Sequence, residues 1–63
     1  MGLLDVDEEK LRYYYHRAWI EAGGGFVDPR KFPYLDKALY LYATEHGCTY
    51  DQALIVAKTP EMT

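Results

Sequence analysis

Two helical patterns meet at Gly47 within residues 35–57, LDKALYLYATEHGCTYDQALIVA. In the first pattern, residues that can pack in a core recur at spacings of three and four, as on one face of a helix. That stripe consists of Leu35, Ala38, Leu39, Tyr42 and His46, with Ala43 at its margin. Because Pro33 suits the first turn of a helix, we predict a helix over residues 33–46 with this stripe toward the core.

The second pattern begins just after Gly47, a residue type that favours the left-handed conformation at a helix end. Thr49 and Gln52 have the spacing of a capping box, in which each side chain binds a backbone N–H of the other residue. A helix over residues 50–58 follows, ended by Pro60, and residues 59–63 are expected to fray. Its predicted inner face comprises Tyr50, Ala53, Leu54 and Ala57.

An earlier helix is predicted over residues 6–22. Residues 5–8, DVDE, have the spacing of an N-terminal cap, and acidic residues are favourable at that end of the helix dipole. The predicted core stripe, with Trp19 as its largest contributor, comprises Leu11, Tyr14, Tyr15, Ala18, Trp19 and Ala22. Three glycines at 23–25 end the helix.

Residues 23–32 are predicted to form a glycine-rich loop between the first and second helices. Phe26 and Val27 are expected to pack back on the core, and Asp28-Pro29 has the pattern of a short helical turn. No alternation typical of a strand is present in the sequence. We therefore predict one all-α domain over residues 1–63, in which a long N-terminal helix packs on a helix-turn-helix-like pair.

The length of 63 residues limits the core, since a chain of this size buries only about 60% of its unfolded surface. Cys48 is the single cysteine and cannot close an intramolecular disulfide, and it forms no zinc-binding spacing with His16 and His46. We expect no metal and no cofactor. The N-terminus lacks the features of a signal peptide, and no apolar run reaches the roughly 20 residues of a membrane span, so a cytoplasmic location without membrane contact is expected.

Large apolar side chains lie outside all three predicted stripes, and a small bundle cannot bury them all. Tyrosine and arginine are also enriched in the energetically important parts of protein interfaces. The sequence therefore predicts a non-enzymatic protein-interaction or regulatory module that binds a partner or a second copy. The candidate partner-binding residues are Tyr13, His16, Arg17, Ile20, Tyr34, Leu41, Ile55 and Val56.

Nucleic-acid binding is the alternative prediction. The net charge is -3, but residues 10–37 are locally basic, and their cations could contact phosphates. These residues are Lys10, Arg12, Arg17, Arg30, Lys31 and Lys37. Ala43, Gly47 and the Thr49 cap resemble the general helix-turn-helix pattern. The following helix, however, has only Gln52 and Lys58 to reach base edges.

Enzymatic chemistry is not predicted, and no catalytic residue or small-molecule substrate is expected. Cys48 lies at the start of a predicted helix, which can lower the pKa of a thiol, and His46 is close in sequence. A small, buried cysteine that fills the turn is the simpler interpretation of Cys48.

Overall fold

The computed structural model describes residues 6–59, which form three α-helices and one short 3₁₀ turn. The helices are α1 (Glu8–Glu21), α2 (Pro33–His46) and α3 (Tyr50–Lys58), and the turn (Pro29–Lys31) precedes α2. Each helix packs against the other two, and residues 6–59 contain no strand. The predicted all-α three-helix fold is confirmed. The predicted frayed tail lies outside the described residues from position 60 onward.

α1 is shorter at both ends than predicted. Its cap is Asp7, whose carboxylate accepts from the backbone N–H of Lys10 at 2.7 Å. Val6 therefore precedes the helix, and its N–H donates instead to the Glu45 carboxylate near the end of α2, at 2.9 Å. At the other end, Ala22 is the C-terminal cap rather than a helical residue. Asp5, the first residue of the predicted cap, lies outside the described residues.

The core forms where the three helices meet. Leu11, Leu35 and Leu39 are its largest completely buried side chains, and Ala18 and Ala53 are also completely buried. Small residues on α1 and α3 allow these helices to approach closely, so that the leucines fill the space between them. No polar or charged residue is buried among residues 6–59, so burial of apolar surface is the main source of stability.

Four residues that the sequence places in the core lie outside it. Trp19 is 41% exposed and Ala22 is exposed, so the buried stripe of α1 is narrower than predicted. Phe26 is 88% exposed. It is adjacent to the buried Val27 in an extended segment, where successive side chains point to opposite sides.

The fourth residue is His46, in the last turn of α2, which is exposed. Its ring stacks on Tyr42 with the ring centroids 3.9 Å apart, and its Nδ1 lies 3.1 Å from the Tyr42 carbonyl oxygen. His46 thus covers the edge of the core from outside. The predicted stripe of α2 does face the core, but the last turn of α2 extends beyond the helices that cover this stripe.

The turn between α2 and α3 has the predicted local structure. Gly47 has a φ of 66°, and the next N–H, from Cys48, donates to the Ala43 carbonyl at 3.0 Å. The capping box is complete, since the Gln52 N–H donates to Thr49 Oγ1 and the Thr49 N–H donates to Gln52 Oε1. Cys48 itself is half-buried rather than buried. Both helix ends are thus satisfied by local hydrogen bonds.

We expect Gly47→Ala to lower the free energy of unfolding by about 1–2 kcal/mol, the cost of a left-handed conformation in a residue with a Cβ. No atom lies within 4 Å of the position of the added Cβ, so the effect comes from backbone strain alone. Gly25→Ala is the matched control, because Gly25 also has open space around it but no positive φ. Urea denaturation followed by circular dichroism measures both. Equal losses in the two variants would contradict the assignment of strain to Gly47.

Candidate functional site

Exposed aromatic and apolar side chains lie together on the side of α1 that faces away from the core. Tyr13 and Ile20 are each 59% exposed, and His16 is exposed between them. These positions are three and four residues apart and so form one face of the helix. Trp19 borders them, with its ring stacked on His16 at a centroid distance of 6.0 Å and an interplanar angle of 17°. We call Tyr13, His16, Trp19 and Ile20 the α1 outer face.

A groove of about 660 Å³ opens beside this face, between α1 and the end of α3. The α1 side of the groove consists of Glu9, Arg12, Tyr13, Tyr15, His16 and Trp19. The α3 side consists of Ala57, Lys58 and Thr59. We call this the α1–α3 groove. It shares three aromatic side chains with the α1 outer face, so the two form one continuous surface.

The α1–α3 groove contains two cationic side chains and one acidic side chain. Arg12 forms an ion pair with Glu8 through Nη2, one turn earlier on α1. The Nε of Arg12 is buried and has no hydrogen-bond partner in the described structure. Lys58 lines the same groove from α3, and Glu9 is the acidic residue. The groove therefore combines aromatic surface with incompletely paired positive charge.

Arg17 serves an internal contact. Its guanidinium carbon lies 4.9 Å from the centre of the Tyr34 ring, a cation–π arrangement. Its Nε lies 3.7 Å from the Glu21 carboxylate. Burial, and next the neighbouring Glu21, raise the pKa of Tyr34. Arg17 thus connects α1 to α2 rather than projecting freely with Tyr13 and Ile20.

The predicted partner-binding residues do not all lie on one surface of the structure. Tyr34, Leu41 and Val56 are half-buried and pack against the core instead of lying on an exposed face. For the two α2 residues the reason is that α2 contacts α1, α3 and the 3₁₀ turn, and so packs through more than one face. Ile55 is 59% exposed, but it points away from the buried Ala53 and Ala57 and lies apart from α1. A binding role for these residues stays a prediction.

The basic residues of the alternative prediction are divided among separate places. Lys10 and Lys37 line a second groove of about 310 Å³ on the α2 side of α1. Arg12 lines the α1–α3 groove, and Arg30 and Lys31 lie on the 3₁₀ turn. Arg12 and Arg17 are also paired with acidic residues. Arg17 packs on Tyr34, which also lines the second groove, so Arg17 lies in the same region as Lys10 and Lys37, whereas Arg12 lines the α1–α3 groove.

Sequence reasoning missed two components of the surface. Trp19 follows the core stripe, so periodicity alone assigns it to the interior. In the sequence, Lys58 is recognisable only as a cation in the last turn of α3. A positive charge there also interacts favourably with the helix dipole. In the structure the indole ring packs over Gly24, 3.5 Å from where a Cβ would stand, and no spacing in the sequence indicates that contact.

No group of three or more His, Cys, Asp or Glu residues within positions 6–59 is arranged to hold a metal ion. No helix in the same range is long and apolar enough to cross a membrane. No protein-family model, curated protein or solved structure matches the chain. The candidate site is therefore defined by its physical chemistry alone.

Proposed function

We propose that this protein is a small interaction module that binds a protein partner through the α1 outer face. The observation that supports the proposal most directly is the position of Tyr13, His16, Trp19 and Ile20 on one continuous helix face beside an aromatic groove. Exposed apolar side chains scattered singly are ordinary, but a contiguous apolar patch with a polar border is typical of a docking surface.

The composition of the α1 outer face also favours binding. Tyrosine and tryptophan present large, rigid contact areas with a polar tip, and they are enriched among the residues that dominate interface energetics. The stack of His16 on Trp19 fixes the orientation of both rings before a partner arrives, which reduces the conformational entropy lost on binding. Glu21 and Glu9 lie at the two ends of α1 and provide a polar border.

The proposal is tested by Ile20→Ser, which removes exposed apolar contact area from the α1 outer face. We expect Ile20→Ser to weaken partner binding at least about tenfold, as for a residue that contributes strongly to the binding free energy of an interface. Affinity capture from a nuclease-treated lysate, followed by titration of the captured partner, measures the loss. Sedimentation over a range of protein concentrations covers the case in which the partner is a second copy.

Ile55→Ser is the comparison variant. Ile55 is also a predicted partner-binding residue, of the same type and equally exposed at 59%, but it lies on α3, away from the α1 outer face to which the proposal confines binding. We expect both variants to keep the thermal midpoint of the native protein and only Ile20→Ser to lose binding. Equal binding by the two variants would overturn the assignment to α1. Capture that disappears with nuclease treatment would instead favour the nucleic-acid alternative.

A further inference from the structure

We propose that the α1–α3 groove binds a short acidic segment of the partner, with one apolar side chain on the groove floor and a carboxylate held by Arg12 and Lys58. This inference rests on the proposed function and names the chemistry of the partner. A protein segment is the occupant that the shape favours, since the groove is open along α1 and continues directly into the α1 outer face through Tyr13, His16 and Trp19.

The floor of the groove suits an apolar side chain. Tyr15 is half-buried and packs on the core, Ala57 is buried, and Trp19 leaves 41% of its surface exposed. A volume of about 660 Å³ lies within the usual range of binding pockets, about 300–1,000 Å³. An inserted leucine or phenylalanine side chain would cover the indole ring and replace its contact with water.

The carboxylate is inferred from the state of Arg12. Glu8 occupies Nη2 of the guanidinium, while Nε is buried without an acceptor. A buried N–H without a partner is unfavourable by about 1–3 kcal/mol. Rotation of the Arg12 side chain into the groove would exchange the Glu8 carboxylate on Nη2 for a ligand carboxylate that also accepts from Nε, in the side-on geometry that is strongest for this pair. The gain over the Glu8 ion pair is the acceptor for Nε.

Lys58 adds a second positive charge from the opposite side of the groove. Glu9 is the acidic residue on the groove lining and lies one turn before Arg12 on the α1 side. A ligand carboxylate is therefore best placed toward Lys58, away from Glu9. The same charges disfavour a segment that carries lysine at that position, which gives the groove a means of discrimination.

The experiment measures the binding of the full chain to an array of heptapeptides with blocked ends. Each peptide carries one central leucine or phenylalanine and has glutamate, glutamine or lysine at a flanking position. Because Trp19 is the single tryptophan and lies in the groove, its fluorescence reports occupancy directly. We expect a saturable blue shift with glutamate peptides and about tenfold weaker binding of the matching glutamine peptides, as for loss of a charged hydrogen bond.

Two protein variants locate the binding. Lys58→Gln and Arg12→Gln should each weaken the glutamate peptides severalfold and bring their affinity closer to that of the glutamine peptides. Lys37→Gln is the control, since Lys37 lines the other groove, and it should bind as the native protein does. Circular dichroism verifies that Arg12→Gln remains folded, and Lys58→Gln at the helix end carries the test if it does not.

Three results would overturn the proposal. They are the absence of any peptide-dependent shift, equal affinity for glutamate and glutamine peptides, and a Trp19 shift that depends on protein concentration alone, which would show a second copy in the groove. Each is distinguishable from failure of the proposed function. If Ile20→Ser abolishes partner capture while no peptide binds, the α1 outer face stands as the docking surface and the groove assignment fails.

Discussion

Leu39→Ala is expected to leave the protein largely unfolded at 25 °C. Leu39 is completely buried at the centre of α2 and belongs to the cluster that joins all three helices. Leucine-to-alanine substitutions at such sites lower stability by about 2–5 kcal/mol, because apolar burial is lost and a cavity remains. A domain of this length has only about 3–5 kcal/mol in total, so the loss is comparable to the whole free energy of unfolding.

Urea denaturation followed by circular dichroism at 222 nm measures this loss, with Leu41→Ala as the matched control. Leu41 lies on the same helix, and its substitution by alanine removes the same atoms, but Leu41 is only half-buried. We expect Leu41→Ala to remain folded and to lose about 1 kcal/mol, in proportion to the apolar area it buries. If Leu39→Ala were as stable as Leu41→Ala, the packing of α2 described above would be wrong.

Tyr50→Phe is expected to lower the free energy of unfolding by about 1.5 kcal/mol, the lower end for a hydrogen bond to a charged group. The Tyr50 hydroxyl at the start of α3 donates to Asp36 Oδ1 of α2 at 2.5 Å. The ring remains in phenylalanine and keeps its contact with Tyr40, 4.8 Å between centroids. The variant therefore isolates the hydrogen bond. Tyr40→Phe is the control, since the Tyr40 side chain is largely exposed.

Alkaline pH should reveal the same interaction in the native protein. Burial, and next the hydrogen bond to Asp36, raise the pKa of Tyr50 well above its ordinary value. The unfolded chain, with a tyrosine pKa of about 10, then loses its proton at lower pH than the folded protein. Stability from Tyr50 is fully present below about pH 10 and falls as pH rises above that value.

Urea midpoints measured from about pH 9 to pH 11 test this expectation, since that interval brackets the ordinary tyrosine pKa. The decline should be less steep in Tyr50→Phe than in the native protein. Some decline should persist, because burial also raises the pKa values of Tyr34 and Tyr42. Parallel curves for the variant and the native protein would show that Tyr50 does not contribute.

The turn between α2 and α3 was predictable because the interactions that form it are local. Gly47 adopts the left-handed conformation, and Thr49 and Gln52 complete the capping box. Each involves residues within five positions of one another, so sequence spacing is sufficient to identify them. Leu35 and Leu39 were predictable as core residues for a related reason: they lie at the centre of a stripe, where any neighbouring helix would cover them.

The candidate site was predictable only in part. The sequence alone identifies Tyr13, His16 and Ile20 as a face opposite the core stripe, since helical periodicity fixes opposite faces. It does not show that Arg17 is engaged with Tyr34, or that Arg12 and Lys58 line the same groove. Those contacts join residues far apart in the chain, and no local spacing encodes them.

By itself, the sequence determined the three helices, the turn between α2 and α3, and the centre of the core. Only the tertiary structure decided which residues at the edge of each stripe are covered. Trp19 is the clearest case: it lies on the predicted stripe, but α3 ends at Lys58, and the indole ring forms one wall of an open groove instead of filling the core. Periodicity assigns a side chain to a face of its helix, whereas burial depends on the length and position of the helices packed against that face.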